Sequence, residues 1–138
     1  MLNYLPIIAI FTLATAYGVW YQLSRGKVKR KERRASKEPL GVSVLGSELG
    51  SRATFVQFSS AFCTPCRATR TLLADITSEL SDVKHIEIDA ESNLELVRKL
   101  DIRSTPTTLV LDKKGLEIGR AIGAPKRAEI IETLAAIK

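Results

Sequence analysis

The sequence predicts an α/β domain, a mixed central sheet flanked by helices, preceded by one N-terminal transmembrane helix. Three observations carry the prediction. From Leu2 to Leu23, 22 residues pass without a charge. From Arg25 to Glu38, eight Lys or Arg against two acidic residues give net +6, the whole formal charge of the chain. Over the remaining residues, from Gly41 to Lys138, β-branched and aromatic runs alternate with stretches of helical period. The chain thus divides into an anchor over 1–24, a basic juxtamembrane linker over 25–40 and a domain over 41–138, a length that suits one core.

At about 1.5 Å per residue the apolar run reaches roughly 33 Å, enough to cross a hydrocarbon core of about 30 Å. Trp20 and Tyr21, near its far end, suit an interfacial anchor. The competing reading is a cleaved secretory signal with Ala14-Thr15-Ala16 as the small-x-small site. Against it, no Lys or Arg precedes the run, and apolar residues continue through Val19, Trp20, Tyr21 and Leu23. Since the cations all follow the helix, the N-terminus is expected outside and everything after Arg25 in the cytoplasm. There the basic block lies against anionic headgroups, a gain on the order of 1 kcal/mol per basic residue. The rest of the chain is neutral overall, so no basic face is left to bind nucleic acid.

Within the domain, "TFVQF" (Thr54 to Phe58) reads as a buried strand. Ala68, Leu72, Leu73, Ile76 and Leu80 recur at helical spacing and predict an amphipathic helix from Cys63 to Leu80. "HIEID" (His85 to Asp89) is a second strand, and "NLELVRKL" (Asn93 to Leu100) a short helix capped by Asn93 or Ser92. "TTLVLD" (Thr107 to Asp112), the turn at Lys113 to Gly115 and "LEIGRAI" make a hairpin. Pro125 suits the first turn of a closing helix with Ile130, Leu134 and Ile137 on one face. The order β-α-β-α-β-β-α implies a mixed sheet covered on both sides. A short strand over Val42 to Leu45 and about a turn of helix fit before Thr54.

The chemistry concentrates in "SAFCTPCRATR" (Ser60 to Arg70), which holds both cysteines of the chain. A structural zinc site needs four ligands, whereas the chain offers two thiols and one imidazole, His85. A c-type haem site requires His after the second cysteine, where Arg67 stands. A structural disulfide closing so small a loop restricts little chain entropy and is kept reduced in a cytoplasm. The redox reading has positive support: the pair lies between a strand and the first turn of a helix, where unpaired amides and the macrodipole favour an anion. Cys63 is therefore expected to have the lower pKa and to act as nucleophile.

Four segments in order, "FVQFSSAFCTPCR", "IEID", "IRSTPTTLVL" and "IGA" at Ile122 to Ala124, resemble the thioredoxin family from about Thr54 onward. The resemblance implies a thioredoxin-like fold and protein-disulfide reductase activity without a cofactor. Cys63 would attack a client disulfide and Cys66, more buried, would resolve the mixed disulfide. Pro106 would follow a cis bond and place Thr105 beside the sulfurs. With Phe62, Thr64, Pro65 and Gly123 these residues would form a groove that pairs with an extended client segment. The implied partners are disulfide-containing proteins and a dithiol electron donor such as thioredoxin reductase; the apolar run adds the lipid bilayer. Three positions depart from the family: Phe62 for the usual Trp, Thr64 for the common Gly, and Gln57 for the buried acid, whose usual Lys partner aligns with His85. Gln57 cannot accept the proton of the resolving thiol, so His85 is the candidate acceptor. Two rival functions are an exported-side thiol reductant such as in cytochrome maturation, and a non-enzymatic thioredoxin-fold binding module.

Overall fold

A computed structural model describes residues 4–24, 28–30 and 38–137 of the chain. Leu2, Asn3 and most of the basic block lie outside the described residues. Helix α1 (Leu5–Ser24) covers the apolar run. It is long and apolar enough to cross a membrane by length and composition, and none of its residues is buried against the rest of the chain.

The domain places β2 (Ala53–Ser59) at its centre. β3 (Val83–Asp89) runs parallel to it on one side, and β4 (Thr107–Asp112) runs antiparallel on the other. β5 (Glu117–Ile122) returns from β4 through the Lys113–Gly115 turn. A three-residue strand, β1 (Val28–Arg30), closes the sheet beyond β5, giving the order β1-β5-β4-β2-β3. It falls within the segment that composition marks as a linker. "VKR" carries no β pattern long enough to detect, and the free edge of β5 supplies the pairing.

Alternation along β2 sends side chains to two cores. Ala53 and Phe55 meet Leu73 and Ile76 of α3 (Thr64–Ser78), with Ile130 and Leu134 of α5 (Arg127–Ala135). Val56 and Phe58 face the other way, packing with Ile86, Ile88, Leu109 and Leu111. Leu40 and Leu45 join this second core, as does Leu100 beyond α4 (Leu94–Lys99). The mixed sheet covered on both faces is thus the expected one. In α3 the buried residues Cys66, Thr69, Leu73 and Ile76 recur at three and four positions, which turns one stripe onto the sheet.

Two local expectations are corrected. Val42–Leu45 forms a one-turn helix, α2, and not a strand. Gly46 ends it in the left-handed region at φ 68°, its N–H returning to the Val42 carbonyl, while Leu45 is buried. A local cap and one buried leucine outweigh β-branching in four residues with no strand beside them. Pro125 precedes the last helix and is not in its first turn, because Lys126 occupies the cap position. Asn93 takes the cap position of α4 without a side-chain capping bond; its amide donates instead to the Asp89 carbonyl at 2.9 Å.

Candidate active site

The site forms where β2 ends and α3 begins. Ser60, Ala61 and Phe62 carry the chain off the sheet, and Cys63 caps α3 with extended backbone. Pro65 falls in the first turn, where its missing N–H costs no helical bond. Cys63 and Cys66 are joined as a disulfide with Cα atoms 5.2 Å apart. The two sulfurs differ in access: Cys66 is 1% exposed, whereas Cys63 is half-buried. The Cys66 amide donates to Cys63 Sγ at 3.2 Å, so the helix terminus directs an N–H at the outer sulfur. Such a donor stabilises a thiolate there when the pair is reduced.

Across the groove, the Thr105–Pro106 peptide is cis. Thr105 lies against the cysteine loop, its hydroxyl 3.3 Å from that of Ser60. Gly123, at φ 88°, donates its N–H to the Pro106 carbonyl at 2.8 Å, which ties the end of β5 to the same rim. Thr64 and Pro65 are exposed beside the sulfurs. Phe62, at the position of the family's usual Trp, stands 98% exposed and so presents its apolar surface to solvent.

Beneath Cys66 the sheet presents polar groups. Gln57, fully buried, donates from Nε2 to the Cys66 carbonyl at 2.9 Å, and its Oε1 is 3.1 Å from His85 Nε2. His85 therefore meets the cysteines only through Gln57. Burial lowers the His85 pKa; the Glu87 carboxylate raises it and Arg70 lowers it to smaller extents. Glu87, two residues on and on the same face, was not visible as a site residue in the sequence. It shares a pocket of about 390 Å³ with Ser59, Ser60, Cys63, Cys66 and Arg70. Arg70 grips it through Nε and an NH2 group, both at 2.6 Å, and Ser59 donates to the same carboxylate. The Arg70 guanidinium holds the Glu87 carboxyl below its ordinary range. The available signal was the period of two from His85 to Glu87, together with Arg70 one helical turn after Cys66.

These shifts give a pH dependence with a definite sign. In the unfolded chain His85 takes up its proton near pH 6.5, whereas burial delays uptake in the folded domain. The unfolded state then binds more protons, so stability falls as pH drops through about 6.5. Glu87 acts in a lower window: its contribution is present above its unfolded pKa of 4.5 and is lost as pH falls through the depressed folded value. Urea midpoints measured from pH 7.5 to 5.5 should decline in the wild type and stay flatter in His85→Ala.

A family model described as thioredoxin matches residues 46–136. The chain belongs to the thioredoxin family. It is 30% identical over 100 residues to thioredoxin from Mycolicibacterium smegmatis, covering 70% of this chain and 86% of that protein. Thioredoxin H5 of Oryza sativa is 32% identical over 72 residues, but these span 52% of this chain and 53% of the rice protein. Among solved structures, Fasciola hepatica thioredoxin superposes with a TM-score of 0.56 at 25% identity, over 64% of this chain and 84% of that one. Neither α1 nor β1 falls within the matched family segment.

Proposed function

We propose that this chain is a membrane-anchored thiol-disulfide oxidoreductase that reduces or exchanges protein disulfides through Cys63 and Cys66, with its domain on the cytoplasmic side. The observation that carries the reading is the asymmetric pair: an accessible sulfur facing a helix-terminal N–H, and a buried one behind it. In the reduced protein the Cys63 thiolate attacks one sulfur of a client disulfide, and the client's other sulfur leaves as thiolate. Cys66 then loses its proton and attacks Cys63, which releases the second client thiol. Two electrons have passed to the client, and the pair is left in the disulfide form observed here. A dithiol donor such as thioredoxin reductase restores it. Thr105, Pro106 and Gly123, with Phe62, Thr64 and Pro65, are the proposed groove.

The proton of Cys66 has two candidate destinations. His85 hydrogen-bonds Gln57, which in turn holds the Cys66 carbonyl and not its sulfur, so a proton would reach His85 only by another path, whereas Glu87 lines the pocket with Cys66 as a carboxylate paired with Arg70. A pH profile of client reduction that shifts in His85→Ala supports His85 as the acceptor; an unchanged profile sinks that role, and Glu87→Gln then tests the carboxylate.

The test of the whole reading combines turnover with sidedness. The reduced protein should reduce insulin disulfides, and Cys63 should resist a membrane-impermeant alkylating reagent in intact cells until they are lysed. Labelling before lysis reverses the topology and favours the exported reductant. Absent reduction with intact partner binding favours the binding module.

A further inference from the structure

The position of β1 relates the membrane to the catalytic rim. β2 carries the cysteine loop at its C-terminal end, and Phe58 of β2 pairs with Thr107 of β4 at that same end. Thr107 pairs with Ile122, so β5 finishes there, beside Gly123. β1 runs antiparallel to β5 with Val28 opposite Ala121 and Arg30 opposite Gly119. The chain therefore enters the domain at the active-site end of the sheet and runs away from it.

The tether is short. Ser24 ends α1 and Val28 begins β1, a separation of four Cα steps that spans at most about 14 Å. The opposite end of the sheet, at the Lys113–Gly115 turn, lies six residues along β5 from Ala121, about 20 Å away. A tether of this reach cannot bring the end of α1 to that turn. Across the sheet, β1 and β2 are separated by β5 and β4, so the cysteine loop lies about 14 Å sideways from the entry point.

The surface at this end matches the placement. Phe62, in the loop between β2 and α3, is 98% exposed, and Ile122, at the end of β5, is 50% exposed, both at the end of the sheet where the chain enters. Two large apolar side chains held in water at one end of the sheet are an unfavourable exposure that a cover would relieve. Exposed Arg67 and Lys126 add cations that suit anionic headgroups, although Arg67 shares its pocket with the carboxylates of Glu87 and Asp89.

We propose that the rim carrying Phe62 and Ile122 docks on the bilayer that holds α1, so that the Cys63–Cys66 pair works at the membrane surface on disulfides of membrane-proximal protein segments. The proposal rests on the reading that α1 crosses a bilayer. It makes the helix a positioning device as well as an anchor, since a tether leaving from the other sheet end would turn the sulfurs toward the aqueous side.

Trp20 is the chain's one tryptophan, which allows a direct test. The full-length protein is placed in phosphatidylcholine and phosphatidylglycerol vesicles whose phosphatidylcholine carries bromine high on its acyl chains. Tryptophan quenching by bromine is then measured in the wild type, in Trp20→Phe with Phe62→Trp, and in Trp20→Phe with Lys114→Trp. Positions 62 and 114 are both exposed, so the two substitutions leave the core untouched. The expected result is strong quenching in the wild type, quenching of similar size in the Phe62→Trp protein, and several-fold less in the Lys114→Trp protein. Equal quenching of the two variants, or none in the Phe62→Trp protein while the wild type is quenched, overturns the docking and leaves Phe62 for client proteins. An unquenched wild type overturns the underlying reading, because α1 is then not in the bilayer.

Discussion

Replacing Cys63 by Ser should abolish the proposed client reduction, a loss of several orders of magnitude, because the sulfur that remains in the pocket belongs to Cys66, which is 1% exposed and poorly placed to attack a client. Replacing Cys66 by Ser has the opposite visible result. Cys63 still attacks, but the resolving sulfur is gone, and clients stay attached as mixed disulfides. Recovery of such adducts from membranes, dissolved by dithiothreitol and absent in the double variant, is the measurement. The proposed order of the two roles rests on access: Cys66 is buried in the first turn of α3 with its carbonyl held by Gln57, whereas Cys63, at the cap of the helix, is half-buried. Trapping through Cys66 in the Cys63→Ser protein, at the level of the converse variant, contradicts the assignment.

The second large effect is on stability. Phe58→Ala should cost about 3–5 kcal/mol, measured by urea unfolding of the domain. Phe58 is fully buried in the middle strand, between Val56 and the cysteine loop, and packs among Ile86, Ile88, Leu109 and Leu111. Truncation removes its apolar area and leaves a cavity that β-sheet neighbours on both sides cannot close. A loss of this size consumes a large part of the 5–15 kcal/mol typical of a single domain. Since β2 also carries the cysteine loop, thiol-disulfide exchange should fail at a lower temperature in the same variant. A cost below about 1 kcal/mol would show that the core rearranges around the gap.

Most of the architecture was legible beforehand because it depends on local patterning. The strands over 53–59 and 107–112, the helix after Cys63 and the hairpin through Lys113–Gly115 follow from β-branched runs, a three-and-four spacing and turn residues. The Cys63–Cys66 pair was readable for the same reason, its chemistry lying within four consecutive residues. Val42–Leu45 departs from its strand-like composition because propensity in a four-residue stretch is weak beside a glycine cap and one buried leucine.

What the chain alone determines is therefore local and compositional: the apolar run, the +6 block, the redox pair at a helix start and the alternation that makes two cores. Tertiary structure decides whatever depends on residues far apart in sequence. It sets Glu87 and Arg70 into one pocket with Cys66 and places Thr105 against Ser60. It also brings Val28 beside Ala121, at the end of the sheet where the sulfurs lie. Register is the physical reason: a strand pairing binds residues about 90 positions apart, and a slip of one residue would turn every side chain to the other face.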